Sequence, residues 1–232
     1  MAVAEWVDAA LQRLRADGLL LESDPRLPCI TAIVAGEPIR GGWWGNPSAR
    51  GTFEVLNAVE DHPDALRTKL IDGKVTYVHR ALWPAVLGVA LAHEAWQVHA
   101  LPTAAQWLLD EVGANGEVRL DLVTPPADVP RKALLDAARA LERRLLVHAT
   151  EMHTESGAHA RVLETWQLWQ APPEHQVVPL SGEAGRAVLA SRLAELNDAC
   201  AANARLPWQM PAERRSRHRR AASREPAARR RR

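Results

Sequence analysis

Phenylalanine and tyrosine are almost missing from this chain, one of each, while tryptophan occurs nine times. Its aromatic surface is therefore nearly all indole, a side chain that is mostly buried in folded proteins and usually finds a partner for its N–H. Cysteine is equally scarce. Cys29 and Cys200 are the only two and have no metal-type spacing, which argues against a disulfide framework or a zinc ribbon and suggests buried or half-buried thiols. Long apolar runs are lacking too: the longest, 81–92, falls short of the roughly 20 residues a membrane helix requires. The first residues show no charged segment followed by a cleavable apolar core, so the expectation is a cytoplasmic protein with no membrane partner. No glycine-rich phosphate loop is present, and Ser156 has no spaced histidine and aspartate around it. No cofactor and no resident metal are expected.

What is present is enough apolar residue, 47% of 232, to bury one large domain or two small ones. Charge is divided unevenly. From Pro211 to Arg232 there are ten arginines and two glutamates, a surplus of +8, and removing them from 29 basic and 28 acidic residues leaves 19 minus 26, or −7, for residues 1–210. An acidic body thus precedes a basic tail that can bury nothing and should be disordered. Affinity for nucleic acid would rest on the tail and on local patches.

Apolar residues recur at helical spacing over 3–17, and Asp17-Gly18 supplies a stop. Residues 19–21 and 27–34 are too short to assign to strand or helix. Thr52–Glu60 reads as a short helix, and Thr68–Ile71 with Val75–Val78 reads as a hairpin around Asp72-Gly73. Arg80–Ala92 reads as a helix with a tolerated early proline. A helix from Thr103 to Val112, ended by Gly113, leads to a strand within 116–122 and a proline-rich link, 124–128. Asp128–Leu145 then reads as an amphipathic helix, its apolar stripe formed by Leu134, Ala138, Leu141 and Leu145. Leu146–His153 and Ala160–Leu168 read as two extended runs joined across 154–159. Gly182–Ala204 reads as a long packing helix, with Ala187, Val188, Leu193, Leu196 and Cys200 on its apolar side. Pro207–Met210 is expected to dock through Trp208.

Helix, strand, helix and ribbon is the order of a winged helix, with the usual middle helix reduced to the link. The expected class is α+β: an N-terminal α+β unit with its Trp-Trp loop and hairpin (1–95), a winged-helix domain (96–170), a C-terminal helical segment (171–210) and the disordered tail (211–232).

Three stretches carry a resemblance. They are Gly41-Gly42-Trp43-Trp44-Gly45-Asn46-Pro47, Lys69-Leu70-Ile71-Asp72-Gly73-Lys74-Val75-Thr76 and Arg80-Ala81-Leu82-Trp83-Pro84-Ala85. With Leu145-Leu146-Val147-His148, Thr154-Glu155-Ser156-Gly157 and Leu163-Glu164-Thr165-Trp166, the region 27–169 resembles a bacterial group related to the crosslink-repair DNA glycosylases. The resemblance implies tandem winged helices, DNA binding and a role in repair. The named enzymes of that family cleave alkylated bases with a Gln-Xaa-Asp or Gln-Xaa-Gln motif. Here no glutamine has that context, and the nearest, Gln97-Val98-His99, ends in histidine.

Candidate DNA contacts lie on the 128–145 helix and the ribbon after it. Arg131, Lys132, Arg139, Arg143 and Arg144 could meet a major groove, diluted by Asp136 and Glu142, or form a solvated surface. His153, His159 and Arg161 could touch the phosphate backbone from a wing tip. With Glu155 the two histidines could also hold a metal, or simply be solvated. Two adjacent indoles, Trp43 and Trp44, point to different sides of most backbones. One can anchor the loop and free the other as a stacking platform, or both can plug a seam. Asp72, Glu155 and Gln97 are nominal catalytic groups for base removal, but Asp72 is better explained by its turn and Gln97 by a link between units. The expected function is DNA binding associated with repair. The alternatives are a glycosylase with a non-standard site near the Trp43-Trp44 loop and a module that binds a protein partner through its acidic body. Oligomeric state is not set by any motif.

Overall fold

The structure is a computed structural model that describes residues 2–39, 42–127, 129–153 and 159–210, with the side chains of His153 and His159 also outside the description. The turn 154–158, where Glu155 falls, and the tail 211–232 lie outside the described residues. The fold is α+β, and the described residues form two three-stranded antiparallel sheets.

Helix α1 (Val3–Asp17) buries Ala10 and Leu14. It stops at Gly18, whose left-handed φ of 72° lets its N–H reach the Leu14 carbonyl. Strand β1 (Leu19–Leu21) is wholly buried. Helix α2 (Ile30–Ala35) resolves the other ambiguous run as helical. Helix α3 (Ala49–Glu60) begins earlier than the apolar spacing indicated and packs Val55, Leu56 and Val59 inward. Strands β2 (Ala65–Lys69) and β3 (Val75–His79) form the expected hairpin. Its turn places Asp72 and Gly73 at φ of 51° and 69°, which glycine and aspartate adopt at low cost.

After a 3-10 turn, Arg80–Leu82, helix α4 (Trp83–Ala90) runs with nearly every side chain buried. Helix α5 (Ala95–Val98) is short. Helix α6 (Thr103–Asn115) passes through Gly113, and its stop is Gly116 at φ 77°, whose N–H meets the Val112 carbonyl. Strand β4 (Glu117–Arg119) follows, and 120–127 and 129–130 contain no helix. Helix α7 (Arg131–Arg143) leads into β5 (His148–His153) and β6 (His159–Glu164). The second extended run ends sooner than its composition indicated. Residues Trp166–Trp169 form helix α8, because Thr165 caps it through a bond from the Leu168 N–H and Trp166 donates from Nε1 to the Leu145 carbonyl at 2.9 Å.

Both sheets place their strands in the order first, third, second: β1-β3-β2 and β4-β6-β5. Each half therefore runs helix, strand, helix and hairpin, and the first half carries the additional α2. The halves share a core. Leu145, Trp166 and Trp169 pack in the same apolar cluster as Leu66, Trp83 and Leu189.

Helix α9 (Gly182–Ala199) covers α4. Its inward stripe is Gly185, Leu189, Leu193 and Leu196, while Ala187 and Val188, expected inside, are exposed. The cause is close approach: a Cβ at Gly185 would lie 2.4 Å from the Ala85 carbonyl oxygen, so the glycine must face α4 and sets the helix rotation. The helix also ends before Ala204, because the Asn197 amide bonds both backbone groups of Ala204 and turns the chain back. Trp208 packs near Trp96, with ring centroids 5.6 Å apart. No helix of the described residues is long and apolar enough to cross a membrane.

Candidate functional site

Helix α7 is strongly amphipathic. Leu134, Ala137, Ala138 and Leu141 are buried, while Arg131, Lys132, Leu135, Arg139 and Arg143 are exposed. Of the two acidic residues that should dilute this face, only Asp136 stays there, 3.2 Å from Arg139. Glu142 turns inward to 3% exposure, where Lys69 of β2 approaches its Oε2 at 2.6 Å and Arg161 at 3.7 Å. The outer face is therefore more cationic than its sequence suggests.

Not every candidate cation lies on that face. Arg144 donates through Nη1 to the carbonyls of Gln97 and His99, at 2.8 and 2.9 Å, and fastens α7 to the α5 region. Gln97 is fully buried and returns the link, donating to the Arg144 carbonyl at 3.0 Å. Arg161 is held between Glu142 and Glu151. His153 and His159 face each other in register at the end of the hairpin, and their side chains lie outside the description. Among the described residues, no group of three histidine, cysteine, aspartate or glutamate side chains is placed to hold a metal.

Arg143 also joins the halves. It packs over the first hairpin turn so closely that a Cβ on Gly73 would meet its Cδ at 2.8 Å. Asp72 in that turn is structural, its N–H donating to the Arg205 carbonyl at 2.8 Å.

From this turn a cleft of about 620 Å³ runs past Lys74, Lys69 and Asp24 to Glu22 and Ile39. Asp24 accepts from the N–H groups of Arg26 and Leu27 and from Lys74 at 2.6 Å. Burial works to raise its carboxyl pKa, but these donors outweigh burial and hold it below the usual value. Burial pulls the Lys69 ammonium below its ordinary value, against the opposing charge of Glu142. The cleft lining thus carries two carboxylates, Glu22 and Asp24, and two ammonium groups, of which Lys74 pairs with Asp24 and Lys69 with Glu142 behind the wall.

At its far end Glu22 accepts from Trp43 Nε1 at 2.9 Å. Trp43 is buried, and Trp44 stacks on it with centroids 4.1 Å apart and planes inclined by 21°. Trp44 is 68% exposed. Phe53 of α3 flanks it at 6.0 Å. The pair thus divides into an anchor and a free indole.

Sequence reasoning missed the cleft residues Glu22, Asp24, Lys69 and Lys74. The one local signal was the pair of lysines on either side of the Asp72-Gly73 turn; Glu22 and Asp24 reach them only through the pairing of β1 with β3. Comparison of the chain with protein-family profiles, with curated proteins and with solved structures gives no match. The resemblance to the glycosylase-related group therefore rests on the quoted residues alone.

Proposed function

We propose that this protein binds duplex DNA through a pair of winged-helix units, with α7 as its principal phosphate-facing helix. The observation that carries the reading is the union of α7 with the first hairpin: Arg143 lies on Gly73, so the cationic outer face of α7 continues onto the turn of the other half. The first-third-second strand order in both sheets supports the winged-helix assignment, together with a helix that directly precedes each hairpin along the chain. The inward turn of Glu142 supports it as well, because it removes a negative charge from the face that would meet phosphate. Association with DNA repair follows from the resemblance.

Duplex affinity measured against salt tests this, for the full chain and for a chain ending at Met210. Salt-dependent binding that survives truncation and weakens in Arg139→Ala and Arg143→Ala supports the reading. Binding lost wholly with the tail overturns it.

The cleft favours a second reading, as a glycosylase. Glu22 presents a carboxylate at its wall next to the Trp43-Trp44 loop, and base removal needs a carboxylate or carboxamide to hold a water or steady an oxocarbenium-like sugar. Release of free base from alkylated DNA, abolished in Glu22→Ala, is its test.

A further inference from the structure

Helices α3 and α7 occupy the same place in the two repeated halves, yet their outer faces differ. On α7 the exposed positions are mainly arginine and lysine. On α3 they are Arg50, Phe53 and Asn57, with Phe53 set against Trp44. One helix offers charge and the other a flat aromatic ledge. Between them lies the cleft, whose lining includes Gly73, the residue under Arg143, and Glu22, the residue that anchors the indole stack.

A tryptophan two-thirds exposed is uncommon, and this one is propped on a buried indole that is itself hydrogen-bonded, so its ring is held in place on the surface. The ledge is too small for a protein partner. Trp44 and Phe53 are two rings, whereas a stable protein interface takes about 20–30 residues a side. Two rings do match one or two bases, since every base has a π-face that stacks on an aromatic side chain. The balanced charge of the cleft suits a neutral polar ring better than a phosphate. Arg50 on the same helix is exposed and pairs with Glu54 at 3.0 Å.

We infer that the protein recognises the junction between duplex and single-stranded DNA: the duplex lies on α7 and the first hairpin turn, and the unpaired strand runs outside the cleft, its backbone in solvent, to stack a base on Trp44. This inference rests on the DNA-binding reading and narrows it to one class of structure.

The test uses the full chain, a blunt duplex and the same duplex with a six-nucleotide overhang, at fixed salt. The wild type should bind the overhang duplex about tenfold more tightly, the effect of roughly one stacked base. Trp44→Ala should bring both to the blunt-duplex affinity, Trp44→Phe should keep part of the preference, and Arg143→Ala should weaken both DNAs together. Exposure of Trp44 predicts that Trp44→Ala keeps the wild-type melting temperature, which a thermal scan checks. An overhang preference unchanged in Trp44→Ala overturns the inference, as does equal wild-type affinity for the two DNAs while duplex binding persists. Absence of binding to either DNA overturns the DNA-binding reading as well.

Discussion

Lys69 Nζ lies 2.6 Å from Glu142 Oε2, joining β2 of the first half to α7 of the second. Both groups are largely shielded, at 17% and 4% side-chain exposure. Arg161 completes a triad, so one charge from α7 ties together strands of both sheets.

Removal of one partner strands the others. Glu142→Ala should cost about 3 kcal/mol or more, because Lys69 loses its counter-charge in a poorly solvated place and Arg161 keeps only Glu151. The double change Lys69→Met with Glu142→Leu should recover much of that loss, since an apolar pair needs no desolvation. Chemical denaturation of the three proteins measures both. A Glu142→Ala protein as stable as wild type would remove the triad from the set of contacts holding the halves together.

Asp24 should give the acid limb of the stability curve. Its folded pKa lies below its ordinary value of 3.8, so its contribution is fully present above that value and is lost as the pH falls through the folded one. Asp24→Asn should therefore be less stable than wild type at pH 7 and should show a flatter loss below about pH 4. Denaturant unfolding at a series of pH values reads the difference. Parallel curves would exclude Asp24 as the titrating group.

Gly185 should tolerate no side chain. A Cβ there would press on the Ala85 carbonyl oxygen at 2.4 Å, and backbone cannot yield as a flexible side-chain end can. Gly185→Ala should cost about 1–3 kcal/mol despite the better helix propensity of alanine. A lowered thermal midpoint is expected. A raised one would show that α9 and α4 do not approach this closely.

The arginines of α7 should separate into two groups. Arg139→Ala and Arg143→Ala, on the exposed face, should each reduce the slope of log affinity against log salt by about 0.9. Arg144→Ala should lower the thermal midpoint and leave that slope unchanged, because its guanidinium is spent on the Gln97 and His99 carbonyls. Equal effects of all three on the slope would contradict the division.

Much of the local structure could be read directly from the chain. Helical spacing over 3–17 and 128–145, and the Asp72-Gly73 turn between β-branched runs, depend on contacts a few residues apart, and they form α1, α7 and the first hairpin. What required the whole molecule was the direction in which charged and small residues face. Glu142 has the spacing of a surface acid, but its partners Lys69 and Arg161 are 73 and 19 positions away. Val188 sits where a helical stripe belongs, and a glycine contact with Ala85 turns it outward. Lys69, Asp24 and Glu22 meet in one cleft only because β1 and β2 both pair with β3.

The scarcity of every aromatic but tryptophan was visible from the start, and so was an adjacent pair of indoles with two sides to serve. Which indole would be anchored was a tertiary question. It was decided by a carboxylate from a distant loop, since Glu22 accepts the Trp43 N–H and leaves Trp44 stacked above it in solvent. Periodicity and turn chemistry are local and can be read along the chain; burial of a charge and exposure of a ring depend on what the rest of the fold brings against them.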